Sequence, residues 1–263
     1  MISAAQFDKY AAYSAAVQSA HYDARFLRRV YRELVQSEPS VMREDFCSTF
    51  ELCCEWAKLD DEKRAIALDI DSEPLEYGKA HYLTDLSAAA QKRVRVLERD
   101  VLAPRGPRAD IICALNFSYF VFRERATLLK YFQQCRRALN PGGIFAVDVF
   151  GGPQYGEPSV DTKKLPGFEY FFEQEFFDPI SNHTRFHIHF KQRGERNRRR
   201  AFSYDWRMWS IPEIRDLMSD AGFRQVAVYW EGTGRNGRGS GKFRRREQGE
   251  SCCIWVAYVI GIS

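Results

Sequence analysis

Apolar residues at Phe26, Leu27, Val30, Tyr31 and Leu34 recur at spacings of three and four in an Ala-rich opening stretch free of glycine and proline. That spacing predicts helix, in two pieces broken near Ser19. Beyond it the texture alternates. "SVMRED", "RAIALDI", "RVRVLERD", "ADIICALNF" and "GGIFAVDVF" read as strands, with "TFELCCEWAKL", "EPLEYGKAHYL" and "RERATLLKYFQQCRRAL" as helices along the way. Strands separated by single helices imply right-handed crossovers and a parallel sheet. Nearly continuous apolar runs such as "IICAL" are what a sheet covered on both faces requires. Asn140, Pro141, Gly142 and Gly143 end the last of these helices and launch the following strand.

From Gly151 the period shortens to two. "YFFEQEFFDP", "TRFHIHFKQR" and "AFSYDWRMW" predict three antiparallel strands. "SIPEIRDLMSDAGF" then predicts a helix with a capping box of Ser210 and Glu213, Pro212 in its first turn and a stop at Gly222. "QVAVYWEG" and "CCIWVAYVIG" flank a Gly- and Arg-rich loop and form a terminal antiparallel hairpin.

Composition narrows the class. At 263 residues, 45% hydrophobic and 28% charged, the chain reads as one globular domain with a substantial core. The net charge of +4 is concentrated in "RGERNRRR" and "GKFRRRE", which read either as a phosphate-binding surface or as solvated hairpin tips. Seven cysteines, with no C-x-x-C pair, read as reduced core thiols. With no signal-like segment and no apolar run of membrane-spanning length, the expectation is a cytoplasmic protein without a membrane partner.

The chemistry gathers at strand ends, because an open parallel sheet binds ligands at its carboxyl edge. The first strand ends in Glu44 and Asp45 ahead of Phe46, Cys47, Ser48 and Thr49; the second in Asp69, followed by Ile70; the third in Asp100 and Val101; the fourth in Asn116 and Phe117. Asp69 is placed to accept the hydroxyls of an adenosine ribose. Asp100 beside Val101 suits adenine's amino group and ring face. His187 and His189 share one strand face, as a metal site, a base or a solvent-facing edge.

Taken together, these ends resemble the class I S-adenosylmethionine-dependent methyltransferases. Glu44 falls on the acid of their first motif, while Phe46, Ser48 and Phe50 fall where its glycines stand. "REDFCST" looks like the R-E-D-F-C-G-T turn of a poorly characterised branch, and "YAAYSAAVQ" and "FSYDWRMWSIPEI" resemble that branch too. The resemblance implies a Rossmann-like α/β methyltransferase fold. It has a seven-stranded, mostly parallel sheet with an antiparallel last hairpin, a helical lid over 1–35, a cofactor-binding core over 36–150, an antiparallel substrate-covering insertion over 151–209 and closing elements over 210–263.

It further implies S-adenosyl-L-methionine as cofactor, held by Arg43 (on the methionine carboxylate, with a salt bridge to Glu44 or a neighbouring acid as its alternative), Glu44, Phe46, Cys47, Asp69, Ile70, Asp100, Val101, Asn116 and Phe117. The likeness of the opening segment to small-molecule methyltransferase lids implies that Tyr10 and Tyr13 wall the sulfonium or a cationic substrate by cation-π contact, with core packing as the alternative. Trp206, Arg207 and Tyr119, the last from "NFSY", are candidates for substrate. The methyl acceptor is expected to be a small molecule, with nucleic acid or protein docking through the Arg runs, cyclisation of the cofactor and a regulatory binding role as alternatives. A glycine-poor turn is tolerable because this cofactor brings no phosphate against it.

Overall fold

The computed structural model describes residues 7–104, 106–234 and 239–263. The first six residues of the expected opening helix, and 235–238 of the Gly- and Arg-rich loop, therefore lie outside the described residues. The opening stretch forms α1 (Lys9–Ala16) and α2 (Ala20–Val35), broken where expected. There follow β1 (Val41–Asp45), α3 (Glu51–Ala57), β2 (Arg64–Asp69), α4 (Ser72–Gly78) running into a π-helical turn, α5 (Ala88–Gln91), β3 (Val94–Glu98), β4 (Ala109–Ala114), α6 (Arg125–Ala138) and β5 (Leu139–Gly151). A second run holds β6 (Ser159–Leu165), β7 (Phe168–Asp178), β8 (His183–Gln192) and β9 (Arg199–Arg207). α7 (Ile211–Asp220), β10 (Gln225–Thr233), β11 (Gly239–Arg245) and β12 (Trp255–Ile262) close the chain.

Among the described residues the main sheet has eight strands in the order β11-β10-β12-β5-β4-β1-β2-β3. β3, β2, β1, β4 and β5 are parallel, and β12, β10 and β11 join antiparallel. The seven expected strands are thus joined by an eighth, β11. Strand order reverses between β1 and β4, so the ligand-binding crevice belongs at their carboxyl ends. Period two divides the core. Met42, Ile111, Cys113, Ile144 and Ala146 face Phe26, Leu27 and Trp56 on α2 and α3. Ile112, Ala114, Phe145 and Val147 face Leu128 and Phe132 on α6 and Ile214 on α7. α7 carries its capping box as expected. No helix among the described residues is long and apolar enough to cross a membrane.

β6-β7-β8-β9 form a separate antiparallel sheet. Its inner face carries Phe172, Phe186 and Trp206 down onto Phe150 at the end of β5. Tyr170, Ile188 and Phe190 on the same face receive Ala12 and Ala16 of α1. This small sheet roofs the carboxyl edge of the large one, with α1 wedged beneath it. The outer face holds His187 and His189, which are buried rather than solvent-facing, at 2% and 8% exposure. The reason is position. β8 lies between β7 and β9, and Glu175 and Ser203 bond the His187 ring at 2.7 and 2.8 Å. His189 Nε2 is 2.7 Å from Glu173 but outside hydrogen-bonding geometry. Among the described residues no set of three or more His, Cys, Asp and Glu side chains gathers to hold a metal.

Of the two Arg runs, 193–200 is the exposed β8–β9 turn with the start of β9, as the hairpin-tip reading expects. The other, 241–247, lies largely on the edge strand β11 rather than at a tip. All seven cysteines are free thiols, five of them buried.

Candidate functional site

The turn from β1 to α3 keeps the backbone of a glycine turn without its glycines. Phe46, Ser48 and Phe50 adopt φ of +58°, +48° and +47°. Left-handed backbone costs a residue with a Cβ about 1–2 kcal/mol, so the rest of the structure must hold the turn. Cys47 N–H donates to Leu68 O at 3.0 Å and Ser48 N–H to Asp69 Oδ2 at 2.7 Å, which ties the turn to the end of β2. Gly78 of α4 lies against its far side. A Cβ there would stand 2.2 Å from Thr49 O and 2.5 Å from the Phe50 ring. Ser48→Gly should therefore relieve strain while keeping the Asp69 bond, raising stability in urea unfolding by up to about 1 kcal/mol after glycine's own entropic cost. A net loss would show that the Ser48 hydroxyl contributes more than its backbone costs.

Two cavities open at this edge. The smaller, about 240 Å³, is lined by Glu44, Phe46, Cys47, Ser48, Asp69 and Asp71 from the ends of β1 and β2, and by Tyr10 and Tyr13 of α1. The larger, about 600 Å³, lies under the small sheet, with Asp23 of α2, Asp148 of β5, Phe117 and a ring of tyrosines in its wall. Tyr13, Asn116, Tyr204 and Trp206 line both, so the cavities adjoin there.

Asn116 and Phe117 stand at φ of +56° and +59°, held by Asp148, whose carboxylate accepts both of their N–H groups at 2.8 and 2.9 Å. A lone acid inside the apolar run "IFAVDVF" thus shapes the wall between the cavities; sequence reasoning passed over it. Asp23, equally unremarked in the sequence, accepts the Tyr258 hydroxyl at 2.8 Å.

Several expected site residues stand elsewhere. Arg43 is 2% exposed and lines neither cavity. Its guanidinium forks onto both oxygens of buried Asp45 at 2.7 Å, since alternation along β1 turns it into the core opposite Glu44. Tyr119 is fully buried, its hydroxyl donating to Asp148 O at 2.9 Å, so it does not reach a substrate. Arg207 follows Trp206 by one residue and so takes the outer face of the small sheet, over the Trp209 ring and bonded to Glu213 at 3.0 Å. Ile70, 69% exposed, and Asp100 and Val101 lie on the same sheet edge outside the cavity lining. Tyr10 lines the smaller cavity, but its ring has Lys9 at 4.8 Å and Tyr77 at 4.7 Å.

Three cavity acids carry displaced pKa values, all with burial as the chief cause. Asp23 is pushed up to about 6, Asp148 to about 7 and Glu44 to about 8. None has a salt-bridge partner among the described residues. The unfolded values lie near 4. From about pH 5, above the range where partner-lowered surface carboxylates such as Glu38 and Asp205 act in the opposite sense, to pH 8 these three acids hold more protons in the folded chain than in the unfolded one, and their contribution to stability falls as pH rises. His189, displaced downward by burial, opposes this below pH 6.5 as a single group. The urea midpoint should decline from pH 5 to pH 8, and Glu44→Gln should flatten the decline. A midpoint rising through that window would contradict the burial of these acids.

No family model matches the chain, and no curated protein matches it. Solved structures do. An S-adenosylmethionine-dependent methyltransferase from Clostridium acetobutylicum is 17% identical, with a TM-score of 0.65 and 96% of each chain covered. An amino pentose methyltransferase from Micromonospora echinaspora, solved with S-adenosylmethionine bound, is 16% identical, with a TM-score of 0.65 and coverage of 96% of this chain and 97% of that one. A sugar N-methyltransferase from Streptoalloteichus sp is 17% identical, with a TM-score of 0.63 and coverage of 98% and 94%. At such identities the likeness establishes the fold alone: the chain folds as the Rossmann-like S-adenosylmethionine-dependent methyltransferases do.

Proposed function

We propose that the protein transfers a methyl group from S-adenosylmethionine to a small molecule. The observation that carries this is the pair of cavities at the reversal of strand order, meeting at Tyr13, Asn116, Tyr204 and Trp206. One holds a donor and the other an acceptor, with the reacting atoms at the junction. The similar structures from Micromonospora echinaspora and Streptoalloteichus sp, an amino pentose methyltransferase and a sugar N-methyltransferase, support a small acceptor.

The donor set of the smaller cavity suits the cofactor. Glu44 is a buried carboxyl group with no cation partner among the described residues, as the methionine ammonium needs. Asp69 spends two of roughly four acceptor sites on Ser48 and Asp71 N–H groups, leaving room for ribose hydroxyls. Exposed Ile70, with Asp100 and Val101 beyond β3, offers adenine an apolar ledge and an acceptor. When bound, the cofactor supplies a sulfonium-activated methyl group. The chain's own work is to align the acceptor and keep water out. α1 is the lid, its Tyr13 ring packed on Phe202 of the roof at 5.2 Å. Free buried thiols agree with a reducing, cytoplasmic setting.

Calorimetric titration with S-adenosylmethionine tests the reading. One saturable site is expected, and it should weaken in Asp69→Ala. No binding by the folded protein would overturn it.

A further inference from the structure

We infer that the larger cavity takes an amine whose ammonium group meets Asp23, and that Asp23 accepts the proton the amine must shed. This deepens the methyltransferase reading and rests on it for naming the amine as methyl acceptor.

Among the described residues the cavity wall carries Asp23, Asp148, Asp161 and Glu231 against one cation, Lys163. Lys163 is exposed and donates to Ala16 O at 3.1 Å. Asp23 and Asp148 have no salt bridge among the described residues. Buried carboxylates are tolerated only when paired or neutral. An acidic cavity of this kind is completed by a cationic guest, whereas an anionic one would add repulsion.

The two central acids differ in what they have left to give. Both oxygens of Asp148 accept backbone N–H groups, which makes it a positioning residue for Asn116 and Phe117. Asp23 Oδ1 accepts from Tyr258 alone, and its other oxygen has no donor among the described residues. Tyr258 pairs with Asp148 across β12 and β5, so α2 delivers Asp23 onto the same patch of cavity wall. Tyr22, Tyr170, Tyr204 and Trp206 line the same cavity, and aromatic rings are the usual companions of a carboxylate in a cation site.

A separate observation also points to a ligand. Trp206, 3% exposed and lining both cavities, has an indole N–H without an acceptor among the described residues. Buried donors are rarely left so. A guest carrying an acceptor oxygen beside its amine would satisfy it.

The step balances. An N–H bond of the ammonium breaks and an O–H bond forms on Asp23. The freed nitrogen pair then bonds the methyl carbon as the C–S pair returns to sulfur, leaving a methylated ammonium and a neutral thioether. The raised pKa of Asp23 suits a group that takes up a proton near neutrality.

The test is fluorine NMR of 4-fluorobenzylamine against 4-fluorobenzyl alcohol, on the full chain without added cofactor. The amine should bind at least about tenfold more tightly, as a charge-assisted bond implies. Asp23→Asn, with folding checked by circular dichroism, should erase the preference. Equal binding of amine and alcohol by the natural protein, or an undiminished preference in folded Asp23→Asn, would overturn the inference. Titration with S-adenosylmethionine reads the methyltransferase proposal separately. Amine preference without cofactor binding defeats that proposal and keeps the cation site; cofactor binding without amine preference does the reverse.

Discussion

Arg43→Ala is expected to lower the free energy of unfolding by about 3–5 kcal/mol, the usual cost of stranding one partner of a buried ion pair. Asp45 has no exposure at all, and beside the two guanidinium bonds it accepts the Tyr131 hydroxyl at 2.9 Å. The guanidinium also donates to Pro107 O at 3.1 Å, and a Cβ on Gly106 would come within 2.7 Å of it, so little space exists for water to replace it. Removing Arg43 leaves a carboxylate, a hydroxyl and a carbonyl to find new partners. Arg43→Lys should recover only part of the loss, since an ammonium cannot make the two-pronged contact. Urea unfolding measures both. A loss below about 1 kcal/mol would mean that the pair contributes far less than buried pairs do. A folded Arg43→Ala whose affinity for S-adenosylmethionine collapses would instead return Arg43 to the cofactor, as the motif resemblance first suggested.

That example shows where sequence stops. Strand and helix order was legible, because continuous apolar runs and three-four spacing report burial directly, and so was the capping box of Ser210 and Glu213. The carboxyl-edge location of Glu44, Asp69 and Asn116 followed from the order of strands. β6 was missed because "SVDTKKL" is polar and largely exposed along an edge, and β11 because its glycines and arginines read as loop. Side-chain direction was less legible: for Arg43 it is the salt bridge to a neighbouring acid that holds, not the cofactor contact. Arg43 beside Glu44, and Arg207 beside Trp206, differ by one residue and hence by one face of a sheet, which a motif match does not resolve. Asp148 was legible in retrospect as an acid in a buried strand. Asp23 was not, since an acid in the first turn of a helix is ordinary dipole chemistry.

Asp69→Ala should weaken S-adenosylmethionine binding by about 2–4 kcal/mol, the worth of paired charge-assisted bonds to ribose hydroxyls. The structure adds a second consequence. Asp69 also accepts Ser48 N–H at 2.7 Å and Asp71 N–H at 3.0 Å, so it both faces the cavity and clamps a turn that is strained at Phe46, Ser48 and Phe50. The variant should lose about 1–2 kcal/mol of stability as well, by two unmade backbone bonds. It should still fold, because Cys47 N–H keeps its bond to Leu68 O and the β1–β2 ladder is untouched. Calorimetry with adenosine separates the two effects. If the ribose contact dominates, adenosine and S-adenosylmethionine lose affinity by a similar factor, because both present the same hydroxyls. If release of the turn dominates, the methionine half suffers most, since Glu44, Phe46 and Cys47 line the cavity beside the turn, and adenosine is largely spared. Asp69→Asn keeps an acceptor for one turn amide but not the charge, so it should retain most of the stability and little of the affinity. Unchanged affinity for both ligands in a folded Asp69→Ala would reduce the acid at the end of β2 to a clamp on the turn.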